Sequence, residues 1–331
     1  MSAPNGRAKE GPSPAIGGRV GQYSLQNPIA FLRSASAAYV LLPVAAACWA
    51  GNHIVARAIG GYVPAASLSL LRWLLVALLI GVFAGRHVVR DLPALRRSLR
   101  LMLFLALMGG SVFGTMQYVT LQYTTALNMG VVGSISPVFI VAGSWLMFGD
   151  RLGGLQLFGV GVSLLGVLAI VSQLSLQRLL DLNFNFGDLL IIINMVFWAV
   201  YCACLRLRPN VHALSFLFVF ALASALFIVP FAAWEFAVGW RLAFEPLSIF
   251  AIVYAALVTS LLAYLAWNRG VELIGAPRAS AFLHTIPLFA AVFATSLLGE
   301  RLYPFHVVGF LLILAGVSLA ARPSAKLARA G

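Results

Sequence analysis

Apolar and polar residues do not alternate along this chain; they separate into blocks. Apolar runs of roughly twenty residues, bounded by turn residues or charges, lie near 37–58, 64–85, 101–122, 127–148, 154–172, 188–207, 213–235, 246–267, 278–298 and 304–321. A helix rises about 1.5 Å per residue, so each run suffices to cross a hydrocarbon core about 30 Å thick. Membrane-spanning strands would give alternating segments of about ten residues, a pattern absent from the sequence. The blocks predict an all-α membrane protein with ten transmembrane helices.

The intervals between the runs set the organisation. Residues 1–36 carry Gly6, Gly11, Pro12, Pro14, Gly17, Gly18 and Gly21 without an apolar run, and read as a disordered cytoplasmic tail with no signal-peptide core. Residues 37–172 and 188–321 each hold five predicted helices, joined by a linker loop at 173–187 and followed by a cytoplasmic tail at 322–331. No interval has room for a soluble catalytic domain.

Composition agrees: the chain is 62% apolar and 9% charged, with mean hydropathy +0.97, whereas soluble domains carry about 25% charged residues. The net charge of +13 would suit a nucleic-acid partner if the basic residues formed one patch, but they sit at helix ends, and no nucleic acid is expected. With the amino terminus inside, cytoplasmic segments hold 17 of the 22 Lys and Arg residues; Arg57, Arg178, Arg241 and Arg301 fall outside, and Arg72 lies within the second helix. Basic residues stay on the cytoplasmic side of short loops, so both termini are predicted to be cytoplasmic. Cys48, Cys202 and Cys204 lie inside apolar runs, which argues against a disulfide framework, a metal site or a cofactor.

The two halves match at a nearly constant offset. Trp49-Ala50 with Arg57 recurs as Trp198-Ala199 with Arg206, at 149; from the third helix onward the offset is 150, pairing Ala126 with Ala276, Pro137 with Pro287, Phe139 with Phe289, Gly159 with Gly309 and Gly166 with Gly316. Gly149-Asp150-Arg151-Leu152 recurs as Gly299-Glu300-Arg301-Leu302. Five is odd, so the second copy must enter the membrane upside down. Two inverted five-helix repeats are a signature of carriers that hold solute near the midplane between their halves. Ten helices, a first-helix Trp-Ala-Gly-Asn and the acidic-Arg-Leu turn after helices four and nine resemble the EamA-type branch of the drug/metabolite transporter superfamily over residues 37–321. The resemblance implies two halves packed around a central cavity, and a metabolite carrier, more often an exporter than an importer.

Polar and aromatic residues within the spans are the candidate solute contacts, because a polar group in hydrocarbon needs a partner. Trp49 and Asn52 share a face of the first helix, with His53 adjacent; Trp198 and Tyr201 are their duplicates. Gly110, Gly114 and Gln117 share a face of the third helix, and the eighth has Ser260, Tyr264 and Trp267 at the matching positions. Each set serves equally as cavity wall or as helix packing. Asn128 and His284 are further candidates, His284 pairing with Ser134 in the repeat. Pro137 and Pro287, at the predicted centres of helices four and nine, are candidate hinges. Arg72 is a candidate anion partner. All nine acids fall in tails, loops or helix ends, which disfavours proton-coupled drug export and favours a neutral or zwitterionic solute such as an amino acid. The expectation is a non-enzymatic transporter in a bacterial inner membrane, with a small-molecule substrate and the lipid bilayer as partners; monomer and homodimer are both compatible. A channel, a membrane scaffold and an intramembrane enzyme are the competing classes.

Overall fold

The computed structural model describes residues 32, 34–58, 63–120, 122–123, 132–181, 186–243, 245–298 and 303–322, and every regular element among them is a helix. The principal helices are α1 (Ala38–Ala58), α2 (Ala65–Arg97), α3 (Leu99–Thr120), α4 (Ser136–Phe148), α5 (Gly154–Ser172), α6 (Phe186–Cys204), α7 (Ala213–Ala237), α8 (Pro246–Ile274), α9 (Ile286–Leu298) and α10 (Pro304–Ala320). Seven apolar helices among the described residues have the length to cross a membrane; α4, α9 and α10 are shorter.

The differences from the hydropathy boundaries have local causes. Helix α2 continues past its apolar run to Arg97, since charged residues end a hydrophobic stretch without ending a helix. Pro137 and Pro287, expected in mid-helix, each stand second in a helix. There the missing N–H costs no hydrogen bond. Upstream of Pro287 the chain is still helical, as Ala276–Ser280 and the 3-10 segment Ala281–Thr285, so the proline marks a change of helix type. The turn after α4 starts at Gly149, whose φ of 72° suits a residue without Cβ. The second copy of that turn lies outside the described residues.

Equivalent helices of the two halves meet one another, and they meet antiparallel. In the α5/α10 pair, a Cβ on Gly159 would stand 2.6 Å from the Gly316 carbonyl oxygen, and one on Gly166 would stand 2.8 Å from that of Gly309. Gly159 and Gly166 are the duplicates of Gly309 and Gly316, so the contact maps onto itself when the halves are exchanged, as in an isologous interface. Ser134 and His284 are also duplicates, and they too touch: the His284 Nε2 lies 2.9 Å from the Ser134 carbonyl. A pseudo-twofold axis therefore passes through the core.

The α2/α7 pair repeats this logic with carboxylate caps, one buried and one only half-buried. Glu235, near the end of α7, accepts from the Ala66 and Ser67 amides, both at 2.8 Å, and from the Ser67 hydroxyl at 2.9 Å. At the other end of the pair, Asp91 of α2 accepts from the His212 amide at 2.9 Å, just before α7. Each carboxylate satisfies orphan donors at the positive end of the neighbouring helix. Glu235→Ala should therefore lower stability by about 2–4 kcal/mol, since buried N–H groups lose charge-assisted partners. Thermal unfolding of the detergent-solubilised protein measures this; an unchanged transition would assign the cap no role.

Candidate functional site

Helices α1, α6 and α8 bring the aromatic candidates together. Trp49 meets Trp198 edge-on with ring centroids 5.5 Å apart, and Trp267 at 5.4 Å. Trp198 stacks on Tyr201 at 5.2 Å, and Tyr264 lies about 6 Å from Trp49, Trp198 and Tyr201. Trp49 and Trp198 are duplicates, so this cluster also lies on the pseudo-twofold axis. The cluster is packed shut: Trp198, Tyr201, Tyr264 and Trp267 are all buried.

The open space is elsewhere. A cavity of about 1210 Å³ is lined by the turn after α4, the end of α6, the α6–α7 connection and the end of α8, and reaches inward to Cys202 and Ala203, next to Tyr201. None of the five clustered aromatic residues lines it; of the two roles open to them, cavity wall or helix packing, they take packing in this arrangement, with the rings interlocked edge to face. Around the mouth stand Arg151, Arg206, Arg208, Arg269 and Arg278 with Asp150 and Glu272. Asp150 of the repeated turn holds Arg206 at 2.7 Å, and Glu272 holds Arg269 at 2.8 Å and Arg208 in closer contact.

Beyond the aromatic cluster, away from the mouth, is a polar layer. Helices α6 and α8 end at the mouth and α7 begins there, so its antiparallel partner α2 begins at the opposite end, and Arg72 lies in its early turns. The Arg72 side chain is 3% exposed. Its guanidinium carbon sits 5.1 Å from the Trp73 ring and 5.3 Å from the Tyr118 ring. Nη1 donates to the Tyr118 hydroxyl at 3.3 Å, and that hydroxyl donates to Asn52 Oδ1 at 3.1 Å. Arginine at this depth costs about 2.5–3.5 kcal/mol in an isolated span; here ring faces and one hydroxyl provide partial compensation.

A duplicated irregularity shapes both walls. The third helix of each half carries a π-helical segment at the matching place, Ala106–Val112 in α3 and Ala255–Leu262 in α8. Wide turns loosen the backbone ladder and leave carbonyls to be satisfied by side chains. The Tyr264 hydroxyl donates to the Gly109 carbonyl at 2.6 Å, and Trp73 Nε1 donates to that of Gly110 at 3.2 Å. Gly110 and Gly114, expected on one wall, separate: Gly110 packs against Phe220 and Ser224, while Gly114 leaves room for the Arg72 guanidinium.

The remaining candidates divide. Asn52 joins the polar layer, whereas Gln117 is only half-buried and Tyr118 beside it takes the contact. His53 is half-buried and outside the ring cluster. His284 is spent on the protein: the Ser134 carbonyl can only accept, so Nε2 donates to it at 2.9 Å, and Nδ1 lies 2.6 Å from the Ser163 hydroxyl. Asn128 lies outside the described residues. Reading the sequence missed Trp73, Tyr118 and Asn268, the last accepting the Tyr201 hydroxyl at 2.7 Å. No set of three His, Cys, Asp or Glu among the described residues could hold a metal ion.

Comparison with known proteins gives a consistent picture. The model of the EamA-like transporter family matches residues 36–172 and again 185–322. An uncharacterized transporter of Archaeoglobus fulgidus is 29% identical over 290 residues, 86% of this chain and 97% of the relative. The uncharacterized transporter YetK of Bacillus subtilis is 26% identical over 85% of each chain, and the uncharacterized inner membrane transporter YicL of Salmonella typhimurium is 26% identical over 87% of this chain and 96% of its own. A protein of known crystal structure, 19% identical, superposes with a TM-score of 0.71 over 89% of this chain and 98% of its own, a likeness of fold.

Proposed function

We propose that this chain, which belongs to the EamA-like transporter family, is a carrier that moves a small neutral or zwitterionic metabolite across a bacterial inner membrane by alternating access, with export the favoured direction. The ten helical segments are its spans, the second half inverted relative to the first, and both termini lie in the cytoplasm with the arginine-rich mouth.

One observation carries the reading. Duplicated residues meet across a pseudo-twofold axis, Trp49 with Trp198 and Ser134 with His284, and a solute-sized cavity opens on one side of the aromatic cluster. Rocking one half against the other would close this mouth and open the opposite end around the same axis. Pro137 and Pro287, at matching positions of the repeat and each second in its helix, are the proposed hinges. The packed rings favour a carrier over a channel, which would need a continuous path. Ser163 meets His284 at 2.6 Å, but both are buried away from the cavity and the other ring nitrogen is held by the Ser134 carbonyl rather than a carboxylate, so we read the protein as non-enzymatic.

Counterflow in proteoliposomes tests the reading. Vesicles loaded with a mixture of the proteinogenic amino acids should accumulate labelled members of that mixture with saturable kinetics, and cells lacking the gene should release less of the same solute. Uptake that rises linearly without counterflow would favour a channel, and absence of flux for every member would remove amino acids as cargo.

A further inference from the structure

Arg72 carries a guanidinium cation, yet it takes part in no ion pair among the described residues, where the pairs found involve Asp91, Asp150 and Glu272. Among the described residues its one hydrogen bond uses Nη1, and Nε and Nη2 are buried without a partner. These two nitrogens form one edge of the guanidinium, with parallel N–H groups spaced for the two oxygens of a carboxylate. The position is also singular: the matching residues of the second half are Ala221 and Leu222. Gly114 opposite has no side chain, and a Cβ there would overlap Nη2.

We infer that Arg72 is a solute-binding residue of the transport path, whose Nε–Nη2 edge receives the carboxylate of a zwitterionic or monoanionic solute beside Trp73 and Tyr118. The inference rests on the carrier reading for the word path, but the site stands on its own geometry. Among the described side chains no second Lys or Arg joins this layer, and one guanidinium matches one negative charge, so a monocarboxylate fits better than a dianionic phosphate. Tyr118 and Asn52 hold the Nη1 side, and the Nε–Nη2 edge, with Gly114 packed against Nη2, has no hydrogen-bond partner among the described residues. The aromatic cluster separates Arg72 from the mouth, so the carboxylate reaches it only when the rings part.

The test uses purified full-length protein in detergent, with sodium acetate and sodium phenylacetate as probes, their neutral amides as shape controls, and sodium chloride and inorganic phosphate at equal ionic strength. The carboxylates should raise the melting temperature by about 2 °C or more over sodium chloride, through binding to the folded state, while amides and phosphate should not. Arg72→Gln should abolish the shift, and Arg72→Lys, which keeps the charge but not the planar edge, should retain part of it. Equal shifts with amides, no shift with either carboxylate, or an undiminished shift in Arg72→Gln would overturn the site. If Arg72→Gln does not fold, an undiminished shift in Arg72→Lys overturns the planar edge. Counterflow in proteoliposomes, with phenylacetate and with the amino-acid mixture, separates the two readings: a carboxylate shift without counterflow of either keeps the site and removes the carrier, and counterflow equally fast in Arg72→Gln keeps the carrier and removes the site.

Discussion

Gly159→Ala should destabilise the protein by about 1–3 kcal/mol, and Gly159→Leu should prevent assembly altogether. At the α5/α10 crossing a Cβ on Gly159 would stand 2.5 Å from the Ala320 amide nitrogen and 2.6 Å from the Gly316 carbonyl oxygen, and backbone atoms cannot rotate away as a side chain can. Overpacking a tight contact costs about 1–3 kcal/mol when the neighbours can shift; a branched side chain leaves no shift large enough. Small residues that let two backbones approach are a principal source of cohesion between helices in lipid, where burial from water adds nothing. Gly161→Ala, two residues away, is the control: nothing lies within 4 Å of its Cβ position, and it should be neutral or gain up to about 1 kcal/mol in helix propensity. Melting temperatures of the purified variants give the comparison. Equal shifts at 159 and 161 would mean that the crossing is not the close contact described.

Tyr264→Ala should cut counterflow by about a hundredfold or more while passive leak of the same solute rises. Tyr264 is the hub of the closure: its ring lies 5.2 Å from Trp73, 5.6 Å from Phe220 and about 6 Å from Trp49, Trp198 and Tyr201. Its hydroxyl also satisfies the π-segment carbonyl of Gly109. Truncation removes the ring from the seal and strands a buried acceptor, which costs about 1–3 kcal/mol. Tyr264→Phe keeps the ring and strands only the carbonyl, so it should lose far less counterflow, about tenfold, with no added leak. Flux in proteoliposomes with matched protein content distinguishes them. If the two variants behave alike, the hydroxyl carries the effect and the aromatic seal does not.

Much of this architecture was legible because lipid imposes long apolar runs, and because a duplicated gene leaves a fixed offset. Trp49 and Trp198 were found by that offset, and they touch. What was hidden has definable causes. A π-segment inserts a wide turn that no composition announces, so the straight-helix face joining Gly110, Gly114 and Gln117 dissolved, and Tyr118 was overlooked in favour of its neighbour. Trp73 reads in sequence as one more apolar residue on an apolar helix. His284 looks the same in sequence whether it binds a solute or a seryl oxygen, and only its two protein partners separate the cases. For Arg72 the informative fact is that Nε and Nη2 find no hydrogen-bond partner among the described residues, and such a lack appears only in three dimensions.

The self-mapping contacts across the axis carry an energetic consequence. Were the two halves identical, opening to one face and opening to the other would be degenerate, two wells of equal depth populated one to one. Every unmatched pair lifts that degeneracy: Arg72 against Leu222, Gly114 against Tyr264, and the five arginines crowded at a single mouth. A tilt of about 1.4 kcal/mol already makes one well tenfold more populated. In the proposed carrier the divergence between the copies would thus set the resting bias, and restoring symmetry at one such pair should move that bias.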